Sequence, residues 1–285
     1  MADYIEERYK AGFNVQFAVT KRLYHERSEF QDVEIVETTH HGRMLFNDGC
    51  VMLSERDEAI YHEMMAHVPL FVHPNPRRVL IIGGGDGGTA REVLRHPSVE
   101  TCVMVEIDGK VVESCREFIP KTAAKLNDPR LRLVIDDGVR FVDQTNETFD
   151  VVLVDSTDPV GPAQPLFGPE FYRNVHRILD SHGIVVAQGE TPFYEPEAQL
   201  AMMKVMGQFF RIVKPFNFTN MTYPGGLWTF MFAAKTHHPQ REFDAERVQN
   251  FEGEFFYYND AIHVAAFMLP TFMYQQLSPA IKEGL

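Results

Sequence analysis

Five acidic side chains stand where a nucleotide-binding sheet would place its ligand. The first lies in Gly83-Gly84-Gly85-Asp86-Gly87-Gly88, between the apolar run "RVLII" and a helical pattern. Glycines at a strand-to-helix turn let the backbone approach a ligand closely, and the bare N–H groups there commonly face a phosphate. Asp86 opposes that use. The spacing fits G-x-G-x-x-G and G-x-G-x-G alike, so the glycines alone do not separate a dinucleotide from a nucleoside. Twenty positions on, Glu106 in "MVEID" stands where an acid accepts hydrogen bonds from ribose hydroxyls. Asp137 and Gly138 in "VIDDG" offer a carboxylate and a close backbone to an exocyclic adenine amine. Asp155 and Asp158 open the loop "DSTDPVGPAQPLFGPE", whose prolines and length mark a functional segment.

A phosphate would be repelled by this set, and no basic cluster compensates it. NAD and ATP fit poorly, whereas a sulfonium nucleoside would be held. S-adenosylmethionine adds a carboxylate that Asp86 would repel. At about 4 Å and an effective dielectric of about 20 that term is on the order of 4 kcal/mol before desolvation. The decarboxylated form keeps the amine, lacks the carboxylate, and matches the loop better. Asp155 and Asp158 could pair on a metal, but no histidine or third carboxylate follows at ligand spacing, so no metal is expected. In "HEMMAH" His62 and His67 stand one residue too far apart for the i, i+4 zinc arrangement, and His67 reads as structural or surface.

The elements that must position these groups follow from the apolar patterning. Residues 13–54 are β-rich, with "NDG" at 47–49 marking a hairpin before "CVMLS", so residues 1–58 are expected to form a small antiparallel β domain. From residue 59 to 285 short apolar runs ("RVLII", "CVMVEI", "LRLVI", "FDVVLV", "GIVVAQ") alternate with helical segments such as "GKVVESCREFI" and "PEFYRNVHRIL". That rhythm predicts an α/β, Rossmann-like, doubly wound sheet, mainly parallel, with ligands at the strand carboxyl ends. "VKPFNFT" and "LWTFMFAA", joined through "TYPGG", should close it as an antiparallel pair.

Composition bounds the function. The chain has 285 residues and a formal charge of −13, which argues against a nucleic-acid partner. No apolar run approaches the ~20 residues of a membrane span, and the acidic start "MADYIEERYK" lacks a secretory signal. Cys50, Cys102 and Cys115 have no CxxC spacing and read as buried free thiols of a cytoplasmic protein.

Together, "GGGDGG", "MVEID", "VIDDG", "DSTDPVGP", "YHEMMAHVP" and "YYNDAIHVAAFMLP" resemble the spermidine synthases, the putrescine aminopropyltransferases, from about residue 20 to residue 275. The β-rich start before a Rossmann-like domain of the methyltransferase type is also that family's arrangement. The resemblance implies transfer of an aminopropyl group from decarboxylated S-adenosylmethionine to putrescine, giving spermidine and methylthioadenosine. Decarboxylated S-adenosylmethionine is then a co-substrate, with no further cofactor. It implies Asp86 on the aminopropyl amine, Glu106 on the ribose, Asp137 with Gly138 on the adenine, and Pro162 beside the adenine. Gln31 would reach the nucleoside from the small domain, with Gly83 and Gly85 in the loop beneath it. Asp155 would accept the amine proton, and Asp158 would grip the diamine's far ammonium, with Ser156 and Thr157 between them. Tyr61, His62, Tyr223 and Gln188 would line the diamine tunnel. A homodimer or homotetramer is implied, with a small diamine and a sulfonium nucleoside as the binding partners. An ordinary S-adenosylmethionine methyltransferase would share the sheet and the nucleoside acids, but Asp86 and the Asp155/Asp158 pair speak against it.

Overall fold

The computed structural model describes residues 3–157 and 161–284, and only the backbone of Gly161 and Pro162. The first element group is an antiparallel sheet in the order β1-β2-β3-β4-β5, made of Asp3–Tyr9, Phe13–Arg27, Asp32–Thr38, Gly42–Asn47 and Cys50–Ser54. The hairpin "NDG" forms as expected. Asp48 and Gly49 both have positive φ (49° and 80°), the left-handed pair that a tight hairpin needs. Strand alternation sends Val33, Ile35, Leu45 and Leu53 to one face and Val36, Met44, Phe46 and Val51 to the other. β1 falls in the segment read only as an acidic start, where charged residues mask the alternation of a two-stranded edge. It pairs along its whole length with β2, from Asp3 opposite Val19 to Tyr9 opposite Phe13.

The second group starts with α1 (Glu58–Val72) and alternates β6 (Arg78–Gly83), α2 (Gly88–Val93), β7 (Thr101–Glu106), α3 (Gly109–Phe118), β8 (Leu131–Ile135), α4 (Gly138–Gln144), β9 (Phe149–Asp155), α5 (Pro169–Ile178), β10 (Leu179–Gln188) and α6 (Pro196–Met206). It closes with β11 (Ile212–Thr219), β12 (Leu227–Ala234) and the short β13 (Lys282–Glu283). The sheet order is β13-β11-β12-β10-β9-β6-β7-β8. β8, β7, β6, β9 and β10 run parallel, and β12 pairs antiparallel with both β10 and β11. This is a mainly parallel mixed sheet of the methyltransferase type. The chain order reverses between β6 and β9, which opens a crevice at their carboxyl ends.

Continuous apolar strands are covered on both sides. Val79, Ile81, Met104, Val151 and Leu153 pack against Met64 and Met65 of α1 and Ala90 of α2. Their neighbours Leu80, Ile82, Val103, Val152 and Val154 pack against Val142, Phe171, Val175 and Met203 of α4, α5 and α6. Val111, Cys115 and Ile119, on and just after α3, cover one face of the N-terminal sheet. Cys102 and Cys115 are buried free thiols, as read, but Cys50 is exposed because it sits at the hairpin end of β5. Among the described residues no helix is long and apolar enough to cross a membrane.

Candidate active site

The glycine loop is pressed down on two of the acids. Gly83 has φ 84°, and a Cβ there would lie 2.1 Å from the Asp155 carbonyl oxygen, so only glycine fits. That carbonyl accepts the Gly84 N–H at 2.9 Å. Glu106 Oε2 accepts the Gly85 N–H at 3.0 Å, and Oε1 accepts the Asp108 N–H at 2.9 Å. Two glycines read as ligand contacts therefore also hold β6, β7 and β9 at one crevice. Burial, with the Asp108 charge beside it, pushes the Glu106 carboxyl up to about 7 despite those two N–H donors.

Asp155, at the end of β9, is gripped from two helices. The Tyr61 hydroxyl of α1 donates to Oδ1 at 2.9 Å, and the Thr89 hydroxyl of α2 donates to Oδ2 at 2.6 Å. Burial and the Asp86 charge raise its pKa, and His62, Thr89 and Tyr61 pull back only part of the way. A raised carboxyl holds a proton better than an ordinary aspartate. Tyr61 is buried beside that carboxylate, so its phenol is held well above the usual range and stays protonated as a donor.

His62 is 3% exposed and stands between two carboxylates. Its Nδ1 lies 2.7 Å from Glu58 Oε2 and its Nε2 lies 3.4 Å from Asp86 Oδ1. Burial works against the charged ring, but Asp86 and Glu58 outweigh it and lift the pKa to about 10. The imidazole is a cation at neutral pH. Glu58 is itself buried, yet its partners His62 and Arg91, with an N–O distance of 2.8 Å to the latter, hold it far below the ordinary carboxylate range. This corrects the expectation that the acids stand without a compensating cation. A buried imidazolium does that work, where lysine or arginine was the group looked for.

His62 also corrects the search for metal ligands, because it reaches Asp86 and Asp155 from another element rather than from the same loop. One ligand atom from each of the three lies within 4.8 Å of the others. A metal needs the neutral ring, whereas both nitrogens of His62 are committed to carboxylates in the protonated form. The trio suits a cation-binding pocket better than a metal centre.

The remaining expected residues fall as follows. Gln31 donates to Asp108 Oδ2 at 3.0 Å, joined there by the Ser28 hydroxyl at 2.7 Å, so the loop after β2 meets the loop after β7. Asp137 caps α4, accepting the Val139 N–H at 2.8 Å, and is exposed at the end of β8. A Cβ on Gly138 would meet Ile82 at 2.5 Å. Gln188 continues β10 alongside Asp155 and donates to Glu190 Oε1 at 3.0 Å. The Tyr223 ring packs edge-on against Tyr61, with 6.0 Å between centroids, but its hydroxyl donates to the Met52 carbonyl. Its hydroxyl is therefore committed to the backbone of β5. Ser156 and Thr157 follow Asp155, the Ser156 hydroxyl turning onto the Thr157 carbonyl at 3.2 Å. Asp158 and the Pro162 side chain lie outside the described residues.

Four neighbours escaped the sequence reading. Thr89 and Glu58 act on Asp155 and His62, and Glu58 was visible as an i, i+4 partner of His62. Asp57 accepts the Met221 and Thr222 N–H groups at 3.0 and 2.8 Å, tying the loop that carries Tyr223 to the start of α1. Glu63 accepts the N–H groups of Phe256, Tyr257 and Tyr258 and so anchors the "YYNDAIH" segment. His67 is fully buried, with Nδ1 2.8 Å from His96 and Nε2 3.1 Å from Glu92, which makes it structural rather than surface.

Known proteins share this sequence pattern and fold. Residues 58–245 match the spermine/spermidine synthase domain, and residues 4–55 match the spermidine synthase tetramerisation domain. A polyamine aminopropyltransferase of Bacillus subtilis (strain 168) is 46% identical over 267 residues, covering 94% of this chain and 96% of the relative. One from Methanocaldococcus jannaschii is 42% identical, covering 92% and 89%. A spermidine synthase solved in complex with the transition-state analogue AdoDATO superposes with a TM-score of 0.95 at 39% identity, covering 97% of this chain and 95% of that one. The spermidine synthase of Thermotoga maritima gives 0.93, also at 39% identity, covering 97% and 94%.

Proposed function

The chain belongs to the spermine/spermidine synthase family and is an aminopropyltransferase, and on that premise we propose that it transfers the aminopropyl group of decarboxylated S-adenosylmethionine to putrescine. The observation that carries the donor is Asp86, set in a glycine loop against Asp155, with His62 as the nearest cation. An ammonium joins that site at little cost, whereas a carboxylate would meet two aspartates. Glu106 lies beneath the same loop and is assigned to the ribose hydroxyls, and Asp137, Gly138 and Pro162 are assigned to the adenine. Gln31 closes the nucleoside side from the N-terminal sheet.

Putrescine arrives as a dication, and an ammonium has no lone pair with which to attack. One nitrogen must lose a proton. Its lone pair then forms a bond to the aminopropyl carbon as the carbon–sulfur bond breaks, and methylthioadenosine leaves as a neutral sulfide. No general acid is required. Asp155 is assigned as the proton acceptor. An ordinary aspartate near 3.9 is a feeble base for an ammonium near 10, and the raised carboxyl narrows that gap. Tyr61 and Thr89 fix its two oxygens, so the attacking nitrogen meets an oriented acceptor. Asp158 is assigned to the far ammonium, with Ser156 and Thr157 beside it and Tyr61, His62, Tyr223 and Gln188 around the chain of methylenes. The matching tetramerisation domain supports assembly as a homo-oligomer through the N-terminal sheet.

The acceptor is tested by supplying purified protein with the decarboxylated donor and putrescine, cadaverine or spermidine in turn, and timing methylthioadenosine release. Putrescine should be preferred over cadaverine by at least about fivefold, because one methylene too many overfills a tunnel matched to four carbons, typically at a cost of about 1–3 kcal/mol. Faster turnover with spermidine would overturn the putrescine assignment.

A further inference from the structure

A second histidine-and-carboxylate cluster lies at the amino ends of the central strands β9 and β10. α1 ends on His73, β9 begins Phe149-Asp150, and β10 begins Leu179-Asp180. One ligand atom from each of His73, Asp150 and Asp180 lies within 4.8 Å of the others. His73 is 3% exposed, and its Nε2 is buried with no hydrogen-bond partner. Asp180 Oδ1 stands 3.9 Å from that nitrogen, beyond hydrogen-bond reach. A buried ring nitrogen near two carboxylates, and bonded to neither, carries a desolvation penalty that nothing among the described residues offsets.

The carboxylates are already oriented. Asp150 Oδ2 accepts the N–H groups of Arg77 and Arg78 at 2.6 and 2.7 Å, and Asp180 Oδ1 accepts the His182 N–H at 2.9 Å. The guanidinium groups of Arg77 and Arg78 turn away to Glu100 and Glu147. Lys235, the neighbouring cation, donates to the Leu179 carbonyl at 2.7 Å. Two more imidazoles stand behind. The His237 ring is 6.3 Å from that of His73, and its Nε2 lies 3.2 Å from His182 Nδ1.

We propose that His73, Asp150 and Asp180 form a site for a divalent transition ion of the zinc class, with solvent completing the coordination. Imidazole nitrogen with carboxylate oxygen is the donor set that such ions take tetrahedrally at about 2.0–2.2 Å, with ligand atoms about 3.3 Å apart. The three atoms need to close by about 1 Å to reach it. His73 Nδ1 now accepts the Asn75 N–H at 3.2 Å, so the neutral ring carries its proton on Nε2. On loading, the ion takes the Nε2 lone pair, the proton moves to Nδ1, and the long contact with Asn75 opens. The ion staples the end of α1 to the starts of β9 and β10, at the far end of the helix that carries Tyr61 and His62. It is structural and takes no part in the transfer.

The test uses the full chain, stripped with a chelator, dialysed against zinc and passed through a desalting column. About one zinc per chain should remain by mass spectrometry, and cobalt in its place should give the visible bands of a tetrahedral site. Asp180→Asn and His73→Gln should each weaken zinc binding by at least about tenfold. Asp155→Asn, in the other cluster, should retain it. Asp180 is a third exposed, so its asparagine variant is the one expected to keep the fold, checked by circular dichroism. No retained ion, unchanged binding in both His73→Gln and Asp180→Asn, or loss confined to Asp155→Asn would each overturn the site.

Discussion

The two ends of α1 carry the same three side-chain types in opposite electrostatic states. At one end His62 sits with Asp86 and Asp155, and at the other His73 sits with Asp150 and Asp180, each trio with ligand atoms within 4.8 Å. Both rings are 3% exposed. What differs is the partner count. His62 has a carboxylate on each nitrogen, and together they overcome burial and lift it to about 10. His73 has an N–H donor on one nitrogen and, among the described residues, no partner on the other, so burial prevails and the ring stays neutral. Hydrogen-bond geometry within a few ångströms, rather than composition, decides whether such a cluster holds a protonated imidazole or offers a lone pair.

The largest effect expected from breaking this comparison is at Asp155. Asp155→Asn keeps the shape and one acceptor oxygen but removes the charge and the proton acceptor, and turnover should fall at least about a hundredfold, the typical weight of a general base. Nucleoside affinity, read by calorimetry, should change little. Glu58→Gln leaves Arg91 with Glu92 alone and the imidazolium with Asp86 alone, and should cost about 1.5–3 kcal/mol in urea unfolding, the range for a charged hydrogen-bond partner. It should also bring the His62 titration down toward that of an ordinary histidine, making the two clusters alike.

The histidines should give opposite pH signatures. The raised His62 pKa contributes stability that is present in full below about 6.5 and is lost as pH climbs through about 10. The lowered His73 pKa contributes stability present above about 6.5 and lost as pH falls through its folded value. Imidazole proton resonances followed from pH 5 to about 10 should show one ring titrating late and one early. Two rings titrating together near 6.5 would remove the distinction. The smallest effect is at Thr89. Thr89→Val deletes one hydrogen bond to Asp155 and should lower turnover about three- to tenfold, consistent with ~1 kcal/mol.

Much of this was legible in the string. Strands covered on both faces read as short apolar runs, so Asp86, Glu106 and Asp155, just after them, could be placed at one crevice before any coordinates. The hairpin at 47–49 was equally plain, because Asp48 and Gly49 are the residue types that tolerate positive φ. β1 was not, since its charged residues obscure the period. The charge on His62 was also hidden, because it depends on Asp86 arriving from a different element. Thr89 was invisible for the same reason, sitting on α2 and reaching β9. The tyrosine hydroxyls look identical in sequence, yet one donates to Asp155 and the other to the Met52 carbonyl.

Selection at Asp86 is the hinge on which the rest turns, and it is measured most directly by offering the protein both sulfonium nucleosides. With putrescine present, the decarboxylated donor should yield methylthioadenosine, and S-adenosylmethionine should neither react nor compete at equal concentration. In Asp86→Asn that discrimination should shrink. Methyl transfer from S-adenosylmethionine, or equal binding of both nucleosides by the unaltered chain, would contradict it.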